Sequence, residues 1–236
     1  MTAHKPDSHE FGEHIVWLQK QYRHHPHPHW FQFLYHFTDV RNTASILKRG
    51  ALLSRGELLR SGVEFVDGAH QGVIEKTPSN KQDFVRLYFR PQTPTLYLNE
   101  GIRPKKLRPS SGMHCPVPVF LLFDFAPILC QADCQFSSGN LARSETRLFG
   151  SANEFKKLPF HDIYHVGAFS EAEKDRIINH RHAEVVVPRA LPLESLKRVM
   201  CRSSAERDTL KKLLGADWKK WQDIIRVDAD LSLFHR

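Results

Sequence analysis

Asn179-His180-Arg181-His182-Ala183-Glu184-Val185-Val186-Val187-Pro188 changes character halfway along. Its first residues close a stretch with helical spacing, Glu171 to His180, while Ala183 to Val187 is a short β-rich run that Pro188 ends. The chain therefore passes from a helix end directly onto a strand, and Glu184 stands at the head of that strand. A carboxylate in front of a valine run costs desolvation energy unless something uses it. The plain reading is a salt-bridged strand acid. The other is a working carboxylate that stabilises developing positive charge and accepts a proton.

Upstream, Phe136-Ser137-Ser138-Gly139-Asn140 reads as a turn whose small residues permit close backbone approach to a ligand. Val117 to Phe125 is nearly continuous apolar sequence and predicts a central strand buried on both faces. Phe84 to Phe89 predicts another strand, stopped at Arg90-Pro91. Phe31 to Phe37 suits a buried strand, after which Thr38 or Asp39 caps a helix with apolar Val40, Ala44, Ile46 and Leu47 and a stop at Gly50. From Leu53 to Gln82 no period holds, which predicts a long surface segment. Downstream, Ala205 to Leu214 predicts a last helix. The sum is an α+β domain over residues 31–236, preceded by a polar, histidine-rich N-terminal arm or helix over residues 1–30.

That arm contains Arg23-His24-His25-Pro26-His27-Pro28-His29, enough imidazoles to clamp a transition metal. The interleaved prolines favour a solvated, extended lead-in to the first strand instead, and no metal is expected. Cys115, Cys130, Cys134 and Cys201 lack metal-ligand spacing and are expected to be reduced and structural. Lys and Arg total 34 against 26 Asp and Glu, a formal net charge of +8, which favours a polyanionic partner over a neutral one. No apolar stretch reaches the roughly 18 residues of a membrane span, and Met1 to Glu10 lacks an apolar signal core, so a soluble, cytoplasmic monomer is expected. In Tyr35-His36-Phe37-Thr38 an imidazole interrupts an apolar strand and must find a partner, either a backbone carbonyl or a ligand hydroxyl.

Five blocks carry a resemblance. Tyr35-His36-Phe37-Thr38-Asp39-Val40-Arg41-Asn42, with Ser45-Ile46-Leu47 and Gly50 behind it, resembles the first motif of the DarT-like proteins. Val85-Arg86-Leu87-Tyr88-Phe89-Arg90-Pro91-Gln92-Thr93-Pro94-Thr95-Leu96-Tyr97 is similar to the second. His114-Cys115-Pro116-Val117-Pro118-Val119-Phe120 and Phe136-Ser137-Ser138-Gly139-Asn140-Leu141-Ala142 are similar to the third and fourth, and Arg181-His182-Ala183-Glu184-Val185 to the catalytic strand.

The resemblance implies a split, twisted ADP-ribosyltransferase sheet with flanking helices, NAD as substrate, and single-stranded DNA as the acceptor, modified on thymine or guanine. It makes Glu184 the catalytic acid, puts His36, Thr38, Asn42, Tyr88 and Tyr97 at the NAD pocket, and makes the stretch from Phe169 to Arg181 the loop that presents the base. It also calls for an arginine at the NAD site. Arg55, Arg60, Arg86 and Arg90 are the candidates, with Arg86 favoured because a strand arginine points to solvent or to a ligand. Arg181 and the cluster Arg103, Lys105, Lys106 and Arg108 are expected at DNA phosphates, or else form an exposed basic turn. A DarG-like macrodomain antitoxin is the expected protein partner. The competing readings are a transferase acting on RNA or protein and a catalytically idle nucleic-acid-binding relative.

Overall fold

Local signals account for the first helix-strand junction. In the computed structural model, which describes residues 3–66, 82–101, 114–230 and 232–235, the strand β1 (Phe33–Asp39) runs into a helix, Val40–Arg49. The Asp39 side chain accepts the Arg41 N–H at 3.0 Å, and Gly50 closes the helix in the left-handed region with φ 80°, donating to the Ile46 carbonyl. Phe31 belongs to a 3-10 turn, Pro28–Gln32, so β1 starts at Phe33, two residues later than the apolar run suggested.

The remaining strands are β2 (Ala51–Leu53), β3 (Phe84–Tyr88), β4 (Pro118–Asp124), β5 (Gln135–Phe136), β6 (Glu184–Pro188), β7 (Ala190–Pro192), β8 (Leu196–Cys201) and β9 (Ile225–Val227). Among the described residues they make a sheet in the order β5-β6-β3-β1-β4-β8-β9 and a small β2-β7 ribbon. Only the β8-β9 pair of the large sheet is parallel. The apolar run at β4 is buried from Pro118 to Phe123, as a central strand demands.

The register divides this sheet. β1 and β4 pair without interruption from Phe33–Asp124 to Asp39–Pro118, and β3 and β6 from Phe84–Pro188 to Tyr88–Glu184. β1 and β3, which join the two halves, are in register at one pair, Tyr35 and Tyr88. Beyond it a side chain replaces the ladder: His36 Nδ1 lies 3.0 Å from the Arg86 carbonyl oxygen. This is the split sheet of the sequence reading.

Directly opposed residues of antiparallel strands share a face. One face carries Leu34, Val85, Leu87, Val119, Leu121, Phe123, Val185 and Val187 into the main core. The other carries Tyr35, Phe120 and Leu122, covered by Leu96, Leu233 and Phe234. Across it a row runs Leu122, Tyr35, Tyr88, Glu184.

The helix alternative holds for Ser8–Gln21, and the segment of residues 23–29 is not a fully solvated lead-in. Phe11, Ile15 and Leu18 of the helix Ser8–Gln21 recur at helical spacing and are buried in the main core, as is Trp30. The histidine segment folds back for the same reason: it can bury aromatic surface. His25 Nε2 sits 3.0 Å from the Tyr164 carbonyl oxygen, and the His27 ring stacks on Trp30 at 4.4 Å. Among the described residues no three metal-ligating side chains gather. Between Leu53 and Gln82, Ser54 caps a short helix, Arg55–Arg60, where the sequence predicted an irregular segment. The helices Glu171–His180 and Ser204–Leu214 lie where the sequence placed them. No helix among the described residues is long and apolar enough to cross a membrane.

Candidate active site

Glu184 begins β6 at the point where the helix Glu171–His180 hands the chain to the sheet. Its backbone is fastened to the turn after β5. Ser137 N–H donates to the Glu184 carbonyl at 2.8 Å, and Glu184 N–H donates to Ser137 Oγ at 3.2 Å. The side chain is buried, 2% exposed, and Arg86 Nη1 lies 3.6 Å from Glu184 Oε2.

Arg86 pairs with Val186 across β3 and β6, so it is the diagonal neighbour of Glu184 on the same face, within reach of a long side chain. Tyr88 is directly opposite Glu184. Burial, reinforced by the Glu184 charge, pushes the Tyr88 phenol well above its ordinary range, against a hydrogen bond with Thr95 that pulls it down. The Tyr88 ring stacks with Phe37 at 6.0 Å. One anionic, one cationic and one neutral hydroxyl group thus converge on a single sheet face beside the division.

His36 stands on the other half of the sheet, next to Tyr35 and opposed to Leu121, so it alternates onto the face opposite Tyr88 and Glu184 and touches this half at the Arg86 backbone carbonyl. Burial lowers its pKa, opposed by the bond to the Arg86 carbonyl, so the ring is neutral near pH 7. A carbonyl only accepts, so Nδ1 carries the proton and Nε2 is left as an acceptor. Both alternatives kept open for this residue are therefore compatible: one ring nitrogen serves the backbone and the other is available to a ligand.

Thr38 and Asn42 form a separate bonded group. Asn42 Nδ2 donates to Thr38 Oγ1 and to the Val66 carbonyl, both at 2.9 Å, and Val66 N–H donates to Asn42 Oδ1 at 2.8 Å. Tyr97 stands on a short helix, Pro94–Asn99, 60% exposed, with its ring edge-on to His235 at 5.2 Å.

The other candidate arginines have different surroundings. Arg60 donates to Asp83 at 2.7 Å and Glu57 at 2.9 Å. Arg55 lies over the Phe65 ring at 5.5 Å. Arg90 is buried over Trp30 at 4.9 Å, its Nη1 donating to the Ile163 and His165 carbonyls at 3.2 and 2.6 Å.

Arg181 caps the end of the helix Glu171–His180, bonded through Nη2 to His165 Nδ1 at 3.0 Å and lying over Phe169 at 5.0 Å. The stretch Phe169–Arg181, anticipated as a loop, is helical from Glu171 because Ser170 and Glu173 form a capping box. Arg103, Lys105, Lys106 and Arg108 lie outside the described residues.

Two open cavities lie elsewhere. One, of about 760 Å³, is lined by Lys5, Asp7, Glu10, Cys134 and Ser151 among others; the second, of about 770 Å³, by Gln19, Arg23, Phe33 and Arg198 among others. Neither includes Glu184, Arg86 or His36. Sequence reasoning missed Ser137 as the residue that fastens Glu184 and Thr95 as the partner of Tyr88. For Ser137 the small-residue turn was the available signal; for Thr95 there was none.

Residues 35–230 match the family described as "ssDNA thymidine ADP-ribosyltransferase, DarT". Among solved structures, Thermus sp. 2.9 DarT in complex with ADP-ribosylated ssDNA superposes with a TM-score of 0.64 at 19% identity, covering 86% of this chain and 96% of that one. The same protein in complex with NAD+ gives 0.61 at 18% identity, over 86% and 98% of the two chains. Thermosipho africanus DarTG in complex with ADP-ribose gives 0.64 at 20% identity, covering 86% of this chain and 51% of that one. These likenesses establish a shared fold. No curated protein matches the sequence.

Proposed function

The chain belongs to the DarT family of single-stranded DNA ADP-ribosyltransferases, and from that membership we propose that Glu184 is its catalytic carboxylate, with Arg86, Tyr88 and His36 at the NAD site. The observation that carries the reading is the placement of Glu184, a buried acid 3.6 Å from a cation on the strand that borders the division of the sheet.

The residues present suit a dinucleotide. Glu184 and the His36 Nε2 acceptor fit ribose hydroxyls, the Arg86 guanidinium fits a phosphate, and the Tyr88 and Phe37 rings offer apolar surface to nicotinamide. Tyr88, Arg86 and Glu184 share one face of the sheet beside the division, and this shared placement supports a cofactor position along that face. Thr38 and Asn42 shape the same pocket by holding the backbone at Val66. Tyr97 supports it from the neighbouring helix.

NAD supplies the ADP-ribosyl group: the bond from its ribose C1 to nicotinamide breaks, nicotinamide leaves with the bonding electrons, and a ring nitrogen of the base forms the new bond. Glu184 stabilises the positive charge that develops on the sugar and accepts the proton that the base nitrogen gives up. Arg86, 3.6 Å from Glu184 Oε2, gives the carboxylate a cationic partner. Thymine is the favoured base, since the matched family carries it in its description, and its one free ring N–H provides both the nucleophile and the proton.

A stacked base cannot reach a buried carboxylate, which accounts for a single-stranded substrate. Arg181, with Arg103, Lys105 and Lys106, contacts the phosphates, and the formal charge of +8 gives the binding its salt dependence. The likeness to the Thermosipho africanus DarTG supports a cellular role as the toxin of a pair, with a DarG-like macrodomain antitoxin that reverses the modification.

The test is mass spectrometry of a thymine-containing single-stranded oligonucleotide incubated with NAD and the protein. Glu184→Gln should cost at least about 100-fold in labelling rate while the protein stays folded. Undiminished labelling by that variant refutes the catalytic assignment, and labelling of RNA or protein in place of DNA refutes the acceptor.

A further inference from the structure

Glu184 has little sheet on its outer side. β5 is two residues long, and past Phe136 the neighbour of Glu184 is a turn, Ser137 to Asn140. The orientation of the carboxylate therefore depends on what holds that turn. From within, Ser137 bonds the Glu184 backbone on both sides, and Ser137 Oγ donates to the Gly139 carbonyl at 2.7 Å.

From outside, the turn is gripped by the last residues of the helix Glu171–His180. Asn140 N–H donates to Asn179 Oδ1 at 3.2 Å, and His180 Nδ1 lies 2.5 Å from the Ser138 carbonyl oxygen. Gly139 is buried, and a Cβ there would come within 2.5 Å of Asn179 Nδ2 and 2.8 Å of its Cγ. The fit between glycine and amide leaves no room for a methyl group. The helix buries only Ile177 among its own residues, so its C-terminal grip on the turn is a principal attachment.

We propose that Asn179 is a positioning residue for Glu184, acting through the Ser137–Asn140 turn. The proposal rests on the reading of Glu184 as the catalytic acid. Asn179 touches no reacting atom; it fixes the turn, the turn fixes the head of β6, and the head of β6 aims the carboxylate. Misplacement of a catalytic group by a fraction of an ångström to an ångström is enough to cost one to two orders of magnitude in rate, about 10- to 100-fold.

Steady-state kinetics on single-stranded DNA, with kcat and KM for NAD resolved, test this. Asn179→Ala should lower kcat about tenfold or more and leave KM for NAD within about twofold, because the binding groups stay in place. Gly139→Ala should cause a loss of the same kind by forcing the amide away. In the Gly139→Ala/Asn179→Ala double variant the added methyl occupies the space the amide vacated, so its kcat should be no lower than that of either single variant. Asn179→Asp keeps an oxygen for the Asn140 N–H and should retain kcat within about threefold of the original.

An unchanged kcat for Asn179→Ala, losses that multiply in the double variant, or an aspartate variant as impaired as the alanine variant overturns the proposal. If Asn179→Ala does not fold, the Gly139→Ala and Asn179→Asp comparisons decide the matter alone. Glu184→Gln, assayed in parallel, separates the two failures. An active Glu184→Gln brings down the catalytic reading and the proposal together, whereas an inactive Glu184→Gln beside a normal Asn179→Ala brings down only the proposal.

Discussion

Replacing Arg86 by methionine removes a charge while keeping most of the stem that packs on the sheet. What remains is Glu184, 2% exposed, without the guanidinium 3.6 Å from its Oε2. At that separation two unit charges attract by about 4–5 kcal/mol with an effective dielectric constant of about 20, and by about 1 kcal/mol in bulk water. The Arg86 side chain is 31% exposed and so partly screened, which places the expected loss of stability at about 1–3 kcal/mol. For a domain of this size that lowers Tm by roughly 3–9 °C. Urea unfolding of Arg86→Met, Glu184→Gln and the double variant closes a thermodynamic cycle. In the double variant the same lost attraction is counted once rather than twice, so it should be more stable than the sum of the single effects implies, by at least about 1 kcal/mol. If Arg86→Met unfolds at the original urea midpoint, or if the two effects add, the ion pair contributes nothing and the electrostatic description of the site is wrong.

Acid should weaken the fold before its carboxylates titrate. Burial lowers the pKa of His14, His25, His36 and His182 below the ordinary 6.5, so in the folded state these rings resist protons that the unfolded chain binds. Stability is then complete above about pH 6.5 and declines as pH falls from there toward each folded value; a urea midpoint that holds or rises between pH 7 and pH 5.5 contradicts this. Gly50→Ala forces a Cβ into the left-handed region at φ 80° and should cost about 1 kcal/mol, read as a drop in Tm without loss of activity per folded molecule. Phe234, fully buried over Phe120 and Tyr35, closes the second apolar face, and Phe234→Ala should cost about 3–5 kcal/mol in urea unfolding.

The parts of this fold that could be read from sequence are those whose causes are local. Asp39 and Gly50 bound a helix through contacts two to four residues away, and the helix-to-strand passage at Glu184 follows from spacing and β-branching alone. What escaped has long-range causes. The helix Ser8–Gln21 carries Phe11, Ile15 and Leu18 at helical spacing, but among so many polar residues only the core that receives them reveals their purpose. β8 places Lys197 and Arg198 outside and Leu196, Val199 and Cys201 inside, which blurs its alternation, and its place beside β4 is a matter of topology. The same division runs through the site. Glu184 and Arg86 were singled out from the sequence and the resemblance, and the structure brings them within 3.6 Å of each other; the clasp at Ser137 and Asn179 joins positions some forty residues apart by hydrogen bonds that no spacing rule encodes.

The division of the sheet also fixes what His36 asks of a ligand. Its Nδ1–H is committed to the Arg86 carbonyl, across the division from β1 to β3, so Nε2 can only accept. A ribose hydroxyl or an amide N–H satisfies that demand, and a phosphate oxygen does not. Protonation reverses the requirement, because an imidazolium donates from both nitrogens. Burial holds the His36 pKa below 6.5, so NAD affinity, measured by calorimetry without DNA, should be constant from pH 8 to about 6.5 and weaken below it. In His36→Gln the amide can donate to the carbonyl or accept from the ligand but does not titrate in this range, and the acid limb should vanish. Affinity that rises on acidification, or an acid limb that survives in His36→Gln, would show that the ring faces anionic oxygen and that the cofactor crosses the divide the other way round.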